Sequence, residues 1–339
     1  MGCTSLLTNH IKLKKLRKLL REYLRCDSVV VPGSRFAENL FKVLKHVKKR
    51  AIIFWMIING NGVMYIVKPM LLPGRHSMEN SFILHGLEPP LESPYYEATY
   101  FFMAIGTVVT CFLTSNITVL LIIITGYVEG QLFALSEDLL NLYEDCCTLV
   151  VKSREDSNEI NDTDVTNTQV ETGVDYHKTN ESYEKNTEYH IINKLFEKRL
   201  REIVKVHVMN INMLSQVNKI FRGAFALEFA VLSIGLIAEL LGGLENTYIE
   251  LPFAIIQVAM DCLIGQRLLD AGHALQTAVY NCHWELLNAH NMKTIQLLLI
   301  NSQKTLTLSV GGVAALHFSC LMSSFRSIYS AFTALRSVV

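Results

Sequence analysis

The chain has 339 residues, half of them hydrophobic and only 18% charged, with 31 basic and 31 acidic side chains cancelling to zero net charge. That is too greasy and too sparsely charged for an ordinary soluble domain, and the neutral balance gives no reason to expect a nucleic-acid partner. It suits a polytopic α-helical membrane protein.

The first fifty residues form a basic segment, with many Lys and Arg against Glu22, Asp27 and Glu38. Ile11, Leu13, Leu16, Leu19, Leu20, Tyr23 and Leu24 recur at helical spacing among Lys14, Lys15, Arg17, Lys18 and Arg21. This predicts a basic amphipathic helix, lying either on anionic lipid or on its own bundle. The opening Met-Gly-Cys-Thr-Ser-Leu misses a myristoylation signal because Leu6 stands where Ser or Thr is needed. The first apolar stretch begins after residue 50, so no signal peptide is read at the start.

A hydrocarbon core about 30 Å thick requires roughly 17–25 mostly apolar helical residues. Five segments meet this, over about 51–70, 95–128, 208–244, 251–270 and 303–326. The first is uncharged to Val67 and is followed by Lys68, Pro69 and Pro73-Gly74. The second is too long for an upright span and must tilt or project. The third carries Glu228 and Glu239 and closes at Gly242-Gly243, and the fourth opens at Pro252 and carries Asp261 and Arg267. Buried charges in a membrane are costly, and Glu228 and Arg267 come to similar depth, which predicts an ion pair between them. Between 152 and 190 the chain turns polar, and this insertion is expected to be disordered.

Orientation follows from basic residues at the helix ends. Lys45, Lys48, Lys49 and Arg50 precede the first span, and Lys194, Lys198, Arg199, Arg201, Lys205, Lys219 and Arg222 precede the third. The loop from 74 to 94 has only Arg75, and 242–250 has no basic residue. The amino terminus is therefore expected in the cytoplasm and, after five crossings, the carboxyl terminus outside. The sequons at Asn161 and Asn180 then stay unglycosylated, and Cys146, Cys147 and Cys282 fall in long inner loops. The run HWELLNAH holds His283 and His290 seven apart, the wrong spacing for a zinc helix, so no metal is expected. There is no phosphate loop, nucleophile elbow or carboxylate pair to suggest an enzyme or a cofactor.

The carboxyl-terminal run from Ala278 resembles the last cytoplasmic and final transmembrane helices of insect odorant receptors. The residues carrying the likeness are Ala278, Tyr280, Trp284, Ser302-Gln303-Lys304, Phe325, Tyr329, Ser330, Phe332, Leu335 and Arg336. DCLIGQRL at 261–268, and Ser93-Pro94-Tyr95-Tyr96 opening a long helix, extend it. The resemblance implies a seven-helix subunit with an intracellular amino terminus. Such subunits join a common co-receptor in hetero-tetramers and form odorant-gated cation channels in the plasma membrane of olfactory sensory neurons. By order, the five segments correspond to the third through seventh helices, with two helices expected to be missing from the start.

For the ligand, a small volatile molecule, the resemblance points to the outer halves of the helices: Asn61, Met64, Tyr65, Tyr100, Met103, Phe253 and Gln257. For the pore it points to Ser330, Thr333, Ala334, Ser337 and Val338 on the last helix, with Arg336 a departure, since it puts a cation beside a cation path. Two alternatives stay open: a gustatory-type receptor channel, and a truncated subunit that assembles without conducting.

Overall fold

The computed structural model describes residues 16–24, 30–71, 92–161, 176–242, 248–304 and 306–337, without the side chains of 155–161 and 176–185. Both sequons, residues 11–15 of the basic helix, the loop at 72–91 and Val338 fall outside that description in whole or in part.

The protein is almost entirely helical. A short helix α1 at 16–24 is followed by α2 (Arg35–Leu71), α3 (Tyr95–Asn161), α4 (Tyr176–Leu241) and α5 (Glu250–Tyr280). A single 3-10 turn (Trp284–Leu286) leads to α6 (Ala289–Ser302), a two-stranded hairpin of β1 (Ser309–Val310) and β2 (Ala314–Ala315), and α7 (Phe318–Arg336). Among the described residues, four helices are long and apolar enough to cross a membrane, those built on α2, α3, α4 and α5.

Three expectations change here. α3 and α4 are 67 and 66 residues long, about 100 Å each at 1.5 Å per residue, some three times a hydrocarbon core. The extra length of the second segment is thus projection, and the polar insertion expected to be disordered is helical at 152–161 and again at 176–190. Cys146, placed by sequence in a loop, sits buried inside α3, where loss of water pushes its thiol up to about 11. Cys282, just beyond α5, is also fully buried, and its thiol is likewise pushed up to about 11 by burial.

The third change concerns the last segment. The apolar run expected as a helix over 303–326 is broken at Gly311-Gly312, both at positive φ, where the chain folds back as a hairpin. The hairpin leans on α4: the backbone N–H and Oγ of Ser309 both donate to Asn218 Oδ1, at 3.0 and 2.9 Å, and Gly311 N–H donates to the Arg222 carbonyl at 2.9 Å. On its other side Leu316 lies against Gly265 of α5 so closely that a Cβ there would sit 1.9 Å from the Leu316 carbonyl oxygen. Only then does α7 begin, with the His317 ring accepting from Cys320 N–H as its cap.

Charged and polar ties hold the projecting halves together. Arg50 of α2 pairs with Glu129 of α3 at 2.7 Å, with side-chain exposures of 18% and 9%. Lower down, Arg35 reaches Asp145 and also Asp138 on α3. Burial raises the Asp138 carboxyl, and Arg35 opposes that rise. α1 packs on this half with Leu19 fully buried, Tyr23 Oη donating to the Ile124 carbonyl at 2.9 Å, and Glu22 accepting from Gln216 of α4 at 2.6 Å. The amphipathic helix at 16–24 therefore puts Leu16, Leu19 and Tyr23 on the bundle and leaves Leu20 and Leu24 exposed.

Candidate ligand-binding site

α2, α3, α4 and α5 border an open cavity of about 460 Å³. Asn61, Gly62 and Tyr65 of α2 face it from one side, and Phe102, Met103, Gly106, Thr107, Thr110 and Cys111 of α3 from another. Glu239 near the end of α4, with Glu250 and Phe253 at the start of α5, completes the wall. The local causes are readable. Asn61 and Tyr65 stand four apart on α2, so they share a face, and the α3 residues recur at helical spacing along one stripe. Gly62 lets the helices close in, since a Cβ there would come within 2.8 Å of Cys111 Sγ.

The volume and the mixture of aromatic, sulfur and a few polar groups suit a small, mostly apolar molecule. Two wall donors are already committed. Asn61 Nδ2 donates to the Ile249 carbonyl at 2.9 Å and Thr107 Oγ1 to the Met103 carbonyl at 2.9 Å.

Of the seven residues expected to meet ligand, Asn61, Tyr65, Met103 and Phe253 line this cavity. Met64 does not; it is 59% exposed on the outer side of α2. Tyr100 is turned away to donate from Oη to the Ile66 carbonyl at 2.5 Å. Gln257 lies one turn beyond Phe253, fully buried, where its Nε2 donates to Thr118 Oγ1 at 2.7 Å and Glu228 Oε1 at 2.8 Å. This overturns the expected Glu228–Arg267 ion pair, because Glu228 spends itself on an amide of α5 rather than on a guanidinium. Depth along two helices did not settle the partner, since facing depends on rotation as well. Phe102, Thr107, Thr110, Cys111, Glu239 and Glu250 were missed. The 103–107–110 spacing on α3 could have found Thr107 and Thr110, but only packing brings Glu239 and Glu250 onto one wall.

Ser330, Thr333, Ala334 and Ser337 of the expected pore set are exposed on α7, on the side opposite its buried residues Leu321 and Ile328. Two of the hydroxyls are satisfied locally, Thr333 donating to the Ser330 carbonyl at 2.9 Å and Ser337 to that of Ala334 at 2.7 Å. Val338 lies outside the described residues.

HWELLNAH makes a junction. His283 takes a left-handed φ of 54° and its ring lies tilted against that of Tyr143, the centroids 6.3 Å apart. Asn288 caps α6 by accepting from Asn291 N–H at 2.9 Å, and the fully buried Asn291 donates to the Asn193 carbonyl of α4 at 3.0 Å. His290 reaches Glu197 at 3.4 Å. The two histidines thus serve separate partners on α3 and α4.

Comparison with known proteins bears on the whole arrangement. The chain is 38% identical over 75 residues to Odorant receptor 30a of Drosophila melanogaster, a match covering 22% of this chain and 20% of that receptor. The insect olfactory receptor OR5 of Machilis hrabei superposes with a TM-score of 0.68 at 17% identity, over 100% of this chain and 78% of OR5. The same receptor in complex with eugenol gives 0.70, again at 17% identity over 100% and 78% of the two chains. The model of the 7tm odorant receptor family matches residues 5–329, nearly the whole length, and the chain belongs to that family.

Proposed function

We propose that the protein is an odorant receptor subunit that forms an odorant-gated cation channel with a co-receptor in a hetero-tetramer. It would work in the plasma membrane of olfactory sensory neurons, with its amino terminus in the cytoplasm and its carboxyl terminus outside. The observation that carries this reading is the 460 Å³ cavity, into which Asn61, Tyr65, Met103 and Phe253 converge from three helices. A chain of the same fold, OR5, has been solved with eugenol. Met64, Tyr100 and Gln257 act one step out, Tyr100 and Gln257 by fixing the walls.

In this reading, ligand in the cavity favours the open arrangement only by binding it more tightly than the closed one. The exposed α7 face bearing Ser330, Thr333, Ala334 and Ser337, continued by spacing to Val338, lines the path with its neighbours in the tetramer. Small residues permit close approach of helices there, and Arg336 leaves more of the conduction to the other subunits.

The test is co-expression with the co-receptor and recording of currents on odorant application. Phe253→Ala removes apolar contact worth roughly 1.5–3 kcal/mol and should raise the half-maximal concentration about ten- to hundredfold. Normal tetramers that never conduct for any odorant would leave a subunit that only assembles.

A further inference from the structure

We propose that the lysine face of α2, on the amino-terminal side of Ala51, binds a polyphosphoinositide, a membrane lipid whose inositol ring carries extra phosphates. This rests on reading that side of α2 as cytoplasmic, where the anionic inositol lipids lie.

The basic residues of α2 divide into two sets. Arg35 and Arg50 turn to α3 and are spent on Asp138, Asp145 and Glu129. Lys42, Lys45, Lys48 and Lys49 are all exposed, and none of them takes part in an ion pair among the described residues. Leu40, Val47, Ala51, Phe54 and Ile58 are the buried side of the helix, so the lysines are turned away from the bundle. They also line a hollow. Lys42, Lys45 and Lys48 border a groove of about 730 Å³ beside the Pro32-Gly33 turn, with Ala37, Phe41 and Leu44 as its apolar lining and Glu38 one turn beyond Lys42.

The face above the groove makes the occupant a lipid. Lys48, Ile52 and Met56 follow one another at four-residue steps, as do Lys45, Lys49 and Ile53, so the lysines continue into the bilayer-length run on one side of the helix. Ile52, Ile53 and Met56 are 47, 41 and 53% exposed. Acyl chains lying on them bring a headgroup down onto the lysines.

The length of the ladder names the headgroup. The uncharged run starts at Ala51, and the interfacial layer beyond the hydrocarbon core is about 5–8 Å deep. Lys48 and Lys49 fall within that layer, whereas Lys45 and Lys42 stand about 9 and 13 Å out along the helix. The phosphate of phosphatidylserine, close to the core, reaches only the first pair. A phosphorylated inositol ring places further phosphates, each of about −1.5 to −2 charge, at the level of the second pair, where the ammonium groups offer three donors each.

The experiment measures binding of dioctanoyl phosphatidylinositol 4,5-bisphosphate to the full chain purified in neutral detergent. It should bind about tenfold or more tighter than dioctanoyl phosphatidylserine, and tighter by as much than inositol 1,4,5-trisphosphate, the headgroup without tails. Each lysine is worth about fivefold, so Lys45→Gln, Lys48→Gln and Lys49→Gln together should weaken the bisphosphate lipid on the order of a hundredfold. The same three changed to Arg, which keeps the charge, should hold it within about threefold. Lys42→Gln alone should cost the bisphosphate lipid about fivefold and leave phosphatidylserine unmoved. Without lipid, every variant should unfold at the parent's temperature, and Lys293→Gln, exposed on α6, should change nothing. If the triple variant unfolds early, Lys42→Gln decides. Equal binding of phosphatidylserine or of the free headgroup overturns the proposal, and so does an unmoved triple variant or a loss at Lys293→Gln as large as at Lys42→Gln. A triple variant that fails to join the co-receptor yet keeps its lipid also overturns it, since the face is then a subunit contact. An amino-terminal epitope stained on intact cells brings down the orientation and the proposal together; failed binding with the epitope hidden brings down the proposal alone.

Discussion

The two halves of α3 live in different surroundings. From 101 to 112 it turns Phe101, Ile105, Val108, Val109 and Phe112 outward, each more than 40% exposed, while its other side borders the cavity. From 121 to 142 it buries Leu121, Ile122, Ile124, Val128, Leu132, Leu135, Leu139 and Leu142, and it anchors Arg50 and Arg35 of α2 through Glu129, Asp138 and Asp145. The same helix is thus loosely framed where a ligand would enter and tightly tied where the bundle must keep its register. A binding region drawn from sparsely packed structure can yield to a ligand, and the densely packed half supplies something for that movement to work against.

The comparison is most sharply broken at its strongest tie. Arg50→Ala strands the Glu129 carboxylate in a buried position and should cost about 3–5 kcal/mol, seen as a large drop in the unfolding temperature of detergent-solubilised protein. The double change Arg50→Met with Glu129→Leu should recover most of that loss, because the cost lies in the orphaned charge. Next comes a pair of truncations on one helix. Leu139→Ala, at a fully buried site, should destabilise by about 2–5 kcal/mol, whereas Phe102→Ala, 61% exposed, should cost about 1 kcal/mol or less while altering the odorant response. Equal losses of stability would erase the distinction between the halves.

A smaller effect is expected where α6 joins α4. Asn291→Leu removes the donor to the Asn193 carbonyl and leaves it buried, at a cost of about 1–3 kcal/mol. The smallest should be a pH effect in the projecting half of α4, where burial holds His207 below its usual value. A base whose folded value is lowered resists protonation only while folded, so stability is complete at pH above the unfolded value near 6.5 and declines as the solution is acidified below it. His207→Leu should flatten that decline in unfolding curves recorded between pH 7 and pH 5.

Much of this was legible beforehand. The uncharged run before Lys68 and the one opening at Ala98 mark helices because so many apolar side chains in succession leave few other ways to satisfy a backbone away from water. Asn61, Tyr65, Met103 and Phe253 could be chosen as outward-half residues with adaptable surfaces, and they do converge. Tyr100 and Gln257 were equally good candidates by composition, yet each turned to a neighbouring helix. The Gly311-Gly312 pair was visible and outweighed by the apolar residues around it, although two glycines permitting positive φ are a stronger signal for a reversal than apolarity is for a span. The polar stretch flanking 161 and 176 lacks an apolar stripe, and its helices continue from better-formed turns on either side.

What the amino acids settle alone is the place and character of the first four greasy helices, the bias of positive charge toward particular ends, and the family likeness, because each depends on side chains close together in the chain. The tertiary structure alone decided that Glu228 takes Gln257, that Glu239 and Glu250 share a wall with Phe253, and that the last helix starts at Phe318. Those outcomes depend on helix rotation and on contacts between residues far apart in the chain, which no local pattern encodes.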